Sequence, residues 1–152
     1  MSAKELSLAV SLALSALLTA PAFAAGRHLN LVFVERATTD ATNHVGKGDD
    51  NAGDILTFSN NVFDEKDQKQ VGSDQGYCIR VVPGKAYECQ WTLTTSQGQI
   101  MVEGPFLDSS DSTMTVIGGT GAYRGAHGEM KLHARNAKGS AYDFAYSIDI
   151  PN

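Results

Sequence analysis

One stretch, Gly118-Gly119-Thr120-Gly121-Ala122-Tyr123-Arg124-Gly125-Ala126-His127-Gly128, holds five of the chain's fifteen glycines. Glycine at this density serves a backbone that must take positive φ, or that another piece of backbone must approach closely. The runs on either side, residues 112–117 and 129–135, read as β-strands. No Gly-Lys-Ser/Thr follows, so the stretch is not a phosphate-binding P-loop. A strand follows where a helix should open, which excludes a dinucleotide fingerprint. The stretch is expected to be a tight corner that turns a sheet back on itself, with Gly118, Gly119 and Gly121 as its structural glycines.

The rest of the chain has the same character. Residues 28–36, 55–63, 75–82, 86–95, 99–106 and 141–150 alternate in polarity or are continuously apolar, and Gly/Asp-rich turns separate them. With the two runs beside the corner they make eight short strands with no helical periodicity between them. This is the pattern of an all-β antiparallel sandwich or barrel. Eight strands suffice to close a barrel whose interior is packed or holds one small ligand. Residues 38–54 form a long polar loop, where mobility or function is expected. Its Asp49-Asp50-Asn51-Ala52-Gly53-Asp54 run offers oxygens for calcium but lacks EF-hand spacing, so a solvated acidic turn is the expectation.

The first residues have a different purpose. Lys4, an apolar run over 6–20 and Ala22-Phe23-Ala24 make a secretory signal pattern, with cleavage expected before Ala25. Residues 1–24 are therefore set apart from a single domain spanning 25–152. Export implies a secreted or periplasmic protein with no membrane span. The net charge of -5 and the absence of a basic run exclude the electrostatic footprint of a nucleic-acid binder. No motif calls for a cofactor, and the four histidines do not form a metal-binding pair.

Export also permits disulfides. Cys78 and Cys89 are the only cysteines, and the turn dipeptide Pro83-Gly84 lies midway between them. A hairpin centred there pairs Val82 with Lys85, Arg80 with Tyr87, and Cys78 with Cys89, so a structural disulfide is expected. Asn60 shares a strand face with Phe58 and Val62. A polar amide on an apolar face must be bonded by a neighbouring strand or await a ligand.

From Gly53 onward the sequence resembles the allene oxide cyclase and dirigent proteins. The likeness is carried by GDILTFSNNVFD at 53–64, VGSDQGYC at 71–78, GQIMVEGPF at 98–106 and VIGGTGAYRGAHGEMKLH at 116–133. It implies an eight-stranded antiparallel β-barrel, and the trimers of the plant proteins suggest a homo-oligomer. In the cyclases an Asn of the F-x-N segment holds a water against the epoxide oxygen. Asn60 matches it and Phe58 matches its aromatic neighbour. The pocket Cys matches Cys78, and Phe106 stands where the cyclases have Tyr. The cyclases' first-strand Glu has no clear match, although Glu35 lies in a related strand. Ala122 follows the GGTG run where dirigent proteins place an acid, and His127 stands in place of their Arg.

The functional expectation is a barrel that binds a small hydrophobic molecule and steers its cyclisation or coupling. Asn60 is the tentative catalytic residue, and Phe58, Cys78, Arg80, Trp91, Phe106 and Tyr77 are the candidate pocket. Parity with Cys78 turns Arg80 inward, with Glu35 or Glu103 as its acidic partner or an anionic ligand in their place. The alternative is a non-catalytic carrier or a structural barrel of the same fold.

Overall fold

The computed structural model describes residues 26–152, so the predicted signal segment, residues 1–24, lies outside the described residues. The strands are β1 (Arg27–Arg36), β2 (Ala41–Asn43), β3 (Ile55–Asp64), β4 (Gln70–Val82), β5 (Ala86–Thr95), β6 (Gly98–Leu107), β7 (Ser112–Gly119), β8 (His127–Ala134) and β9 (Tyr142–Ile150). From β3 to β9 each pairs antiparallel with the next; β9 pairs with β1, and β1 returns to β3. These eight strands form a closed antiparallel barrel, as expected.

The seam between β1 and β3 is the irregular place. β1 pairs with β3 only over residues 61–64, while the three-residue β2 pairs with β3 over residues 55–57. Across the gap, side chains replace the ladder. The Thr39 hydroxyl donates to the Ser59 carbonyl at 3.0 Å and accepts the Ser59 N–H at 2.8 Å. The Asn60 carbonyl oxygen accepts the N–H groups of Thr38 at 2.9 Å and Thr39 at 3.0 Å.

Alternation decides the interior. Leu93, Ile100, Val102, Met130 and Ile148 are fully buried in the half of the barrel nearest the glycine corner. Cys78 and Cys89 are direct partners and form a disulfide. The hairpin differs from expectation at its tip: Val82 pairs with Ala86, not Lys85, because the register shifts between Arg80 and Val82. The bulge absorbs one residue and leaves the disulfide register intact. β4 also begins at Gln70, so Asp74 lies within the sheet and not in a turn.

The glycine stretch is the predicted corner. β7 ends, a single 3-10 turn (Gly121–Tyr123) follows, and β8 returns antiparallel. Gly121 has φ +59°. A Cβ on Gly119 would lie 2.4 Å from the Tyr123 carbonyl oxygen and 2.7 Å from that of Gln99, so the corner is closed by backbone packed on backbone. Gly118 has nothing within 4 Å of that position and is not required sterically.

Candidate functional site

The strand directions put four connections at the end of the barrel opposite the corner: residues 37–54, 83–85, 108–111 and 135–141. Two neighbouring spaces open there. The outer one, about 670 Å³, is a vestibule bordered by Arg80, Tyr87, Phe106, Asp108, Asp111, Leu132, Lys138 and Tyr142. The inner one, about 100 Å³, lies within the barrel and is lined by Glu35, Asp40, Leu56, Phe58, Cys78, Trp91, Phe106, Leu132, Tyr142 and Phe144. Phe106, Leu132 and Tyr142 border both spaces. The Phe106 and Tyr142 rings meet edge-on with centroids 5.8 Å apart.

The chamber walls are aromatic. Trp91 stands edge-on to Phe58 at 5.9 Å and tilted against Phe144 at 5.5 Å. Gly76 sits between Phe58 and Trp91 in the sheet register, and a Cβ there would lie 2.3 Å from that of Trp91, so the glycine makes room for the indole. The Trp91 ring N–H and the buried Tyr146 hydroxyl approach each other, but neither has a hydrogen bond of full geometry, which leaves polar capacity beside the chamber.

Its polar end is a cluster of carboxyls around one amide. Asn60 Nδ2 donates to Glu35 Oε1 at 2.8 Å and to Asp40 Oδ1 at 2.9 Å, and the Asn60 backbone N–H donates to Asp74 Oδ1 at 3.3 Å. With the Thr38 and Thr39 backbone N–H groups on its carbonyl oxygen, the Asn60 side chain has every hydrogen-bonding group engaged by protein. Among the described residues no Lys or Arg borders the chamber. Burial raises the Glu35 carboxyl to about 9, with the Asp74 charge adding to the shift. Burial likewise raises Asp74 to about 7. Two adjacent carboxyls without a cation do not both ionise, so the Glu35–Asp74 pair retains a proton, held chiefly by Glu35, whose carboxyl is raised the further of the two. Tyr142, half-buried beside Glu35 and Asp40, is raised to about 12, chiefly by burial.

The sequence-predicted residues divide into groups. Phe58, Cys78, Trp91 and Phe106 come together in the chamber. Asn60 lies behind it, bonded to two of its lining acids. Arg80 points inward but belongs to the vestibule. Its partners are neither Glu35 nor Glu103: Asp50 lies 2.6 Å from Nε and Asp108 2.7 Å from Nη1, while the guanidinium stacks 3.6 Å over Tyr87. Tyr77 faces outward and bonds Gln90 at 3.1 Å across the β4–β5 ladder. The acidic run is a largely exposed turn, as expected, except that its last residue, Asp54, is buried. Burial alone would raise its carboxyl, but His44 and the N–H groups of Val45 and Asn51 outweigh that and hold it well below the usual range. Among the described residues no cluster of three His, Cys, Asp or Glu could hold a metal.

Sequence reasoning missed Asp40, Asp74, Tyr142 and Phe144, and gave Glu35 the wrong partner. A usable signal was present for Glu35: Leu29, Leu31, Phe33 and Glu35 share one face of β1, so an acid ends an inward apolar row. On the outer wall, His28 lies 2.8 Å from Asp149 and 3.3 Å from the Ser147 hydroxyl. That row has the order of a nucleophile-activating relay, but it lies on an open sheet surface with no cavity to hold a substrate.

The comparisons agree with the fold. A family model described as allene oxide cyclase matches residues 34–142. A solved structure named pyocyanin demethylase is 25% identical, with a TM-score of 0.65, covering 78% of this chain and 100% of its own. The pterocarpan synthase dirigent protein GePTS1 is 16% identical with a TM-score of 0.71, covering 92% and 98% respectively. AbnU, an exo-specific intermolecular Diels-Alderase, is 18% identical with a TM-score of 0.66, covering 82% and 99%. With the barrel closed as expected and the family match spanning most of the described residues, the chain belongs to the allene oxide cyclase family.

Proposed function

We propose that the barrel takes a small, largely apolar molecule into the inner chamber and steers its cyclisation or coupling, in the space outside the cytoplasm to which residues 1–24 direct it. One observation carries this reading: an aromatic-walled chamber that ends on the buried Glu35 carboxyl, with no cation to neutralise the acids around it. Confinement supplies most of the catalysis, by holding one reactive conformer away from water. The protonated Glu35 is the acid, able to give a hydrogen bond or a proton to an oxygen or nitrogen that gains charge. Asp40 is the acceptor at the same end. Asn60 is a positioning residue that fixes both carboxyls through its amide. The neighbours support the reading by their variety, since a demethylase, a dirigent protein and a Diels-Alderase share one barrel whose chemistry must then reside in its lining.

The inner volume is below the roughly 300–1,000 Å³ of ordinary small-molecule sites. The chamber therefore holds the reacting end of the ligand, and the vestibule holds the remainder. Native mass spectrometry of the protein from the exported fraction of its host is the test. A retained small molecule, released by denaturation, supports the reading and supplies the compound for turnover assays. Turnover lost in Glu35→Gln with binding retained would establish chemistry, whereas binding with no turnover in the parent would make the barrel a carrier. Protein that arrives empty and takes up no hydrophobic probe would overturn the reading.

A further inference from the structure

We propose that the inner chamber selects ligands whose leading end is cationic or carries an N–H donor, and that it rejects carboxylates. The inference rests on the ligand-binding reading above and assigns a substrate class to that site: a compact, flat, electron-poor nitrogen heteroaromatic.

Charge and shape on the page both point that way. Three carboxyls, those of Glu35, Asp40 and Asp74, gather around Asn60, the first two on its side-chain amide and the third on its backbone N–H. Glu35 and Asp40 border the chamber directly. The groups facing Glu35 from each element packed on it are Asp74 on β4, Asp40 in the 37–54 connection, and Tyr142 and Tyr146 on β9. None is a cation, so a ligand carboxylate brought beside the Asp40 and Asp74 carboxyls would meet repulsion with nothing to compensate it. The vestibule offers little remedy, since the Arg80 guanidinium is held by both Asp50 and Asp108. Lys138 is the other basic residue bordering the vestibule, and Asp111 borders it too. The walls favour flat cations, because the faces of Trp and Phe rings attract positive charge.

Cation binding should also displace a proton. A positive charge beside Glu35 favours its ionised form, so part of the binding energy is spent on releasing the proton held between Glu35 and Asp74. A neutral ligand of the same shape does not cause this.

The test uses three near-isosteric probes: N-methylquinolinium, quinoline and 2-naphthoate. Trp91 is the only tryptophan, so its indole N–H gives a single resonance that reports the chamber. Binding is followed at neutral pH by that resonance and by calorimetry in two buffers of different ionisation enthalpy. The expected result is that N-methylquinolinium shifts the indole signal, binds at least about tenfold tighter than quinoline, a difference of about 1.4 kcal/mol, and releases protons. 2-Naphthoate should leave the signal unchanged. Asp40→Asn should bring the cation down to parity with quinoline. Glu35→Gln, which preserves an amide oxygen for Asn60, should abolish proton release. Naphthoate binding as tightly as the cation would overturn the charge preference while leaving ligand binding intact. Failure of all three probes to move the Trp91 signal would overturn the chamber as a ligand site altogether.

Discussion

At the corner end of the barrel, the chain turns by bringing glycine backbone against backbone, and Tyr123, Ala126 and the side chains below them are buried. At the opposite end, long connections are pinned by carboxylates. Asp54 gathers His44, Val45 and Asn51; Asp50 and Asp108 hold Arg80; Asp40 reaches Asn60. The corner end uses steric exclusion, which does not depend on pH. The site end uses buried charge, whose free energy does. A fold can keep a polar chamber in one half because the other half is packed without one.

The largest effects should follow from altering the charge at the site end. Glu35→Gln should lower turnover by roughly 10²–10⁴-fold, the usual contribution of a positioned acid. The same substitution should change stability in a definite direction. Folding raises the Glu35 pKa from 4.5 to about 9. Its contribution is then fully present below about pH 4.5 and is lost as pH rises through 9, with a slope of up to about 1.4 kcal/mol per pH unit for one proton. Urea midpoints at pH 5, 7 and 9 should fall in the parent and stay flatter in Glu35→Gln. Asp54 has the opposite sign: its lowered pKa gives stability that is present above its ordinary value of 3.8 and lost in stronger acid. A parent midpoint that rises from pH 5 to pH 9 would contradict the buried-acid account.

Backbone replaces charge as the target at the corner. Gly119→Val places a side chain where Tyr123 and Gln99 carbonyl oxygens already sit. It should cost about 3 kcal/mol, since neither backbone can yield without moving its strand. That loss should be the same at pH 5 and pH 9, which is the sharpest contrast with Glu35→Gln. Replacing Cys78 and Cys89 by serine should remove roughly 2.5–3 kcal/mol by freeing the unfolded chain, and should also loosen the chamber wall that Cys78 forms.

These two ends also differ in how far the sequence revealed them. The corner was legible because glycine spacing acts locally. The same is true of the Cys78–Cys89 pairing, where turn and register are set within one hairpin. The one error there, Val82 against Ala86, is a bulge that leaves no trace in alternation. The chamber was legible in Phe58, Trp91, Phe106 and Cys78. Its acids come from β1, β4 and the 37–54 connection, up to about forty residues apart, and only barrel closure brings them together. Asp74 lies one residue before the strand expected over 75–82, and Arg80 was given Glu35, Glu103 or an anionic ligand because the loop carrying Asp50 had no expected position. A parity argument says which side chains face inward but not at what height, and height is what separates Arg80 in the vestibule from Glu35 in the chamber.

A smaller effect should appear where the two spaces of the site end meet. Phe106→Ala removes the ring that stands between Tyr87 and Tyr142. The vestibule and chamber should then merge. Phe106 is only partly buried, so the stability cost should be about 1–2 kcal/mol, below that of a fully buried Phe. The ligand spectrum should widen toward bulkier compounds, read by competition against the best parent ligand. An unchanged spectrum would mean that Leu132 and Tyr142 alone set the constriction.

The smallest effect returns to the corner and tests the steric explanation directly. Gly118 and Gly119 are adjacent, both lie in the GGTG run, and composition gives no reason to treat them differently. The structure does: a Cβ at Gly118 meets no atom within 4 Å, and its φ lies outside the left-handed region. Gly118→Ala should therefore change stability by no more than about 0.5 kcal/mol, and the reduced freedom of the unfolded chain could make that change favourable. Thermal midpoints of Gly118→Ala and Gly119→Ala measured side by side decide it. If both fall by the same amount, the corner needs glycine for flexibility and not for close approach, and the contrast between its two ends would then have to be redrawn around backbone freedom.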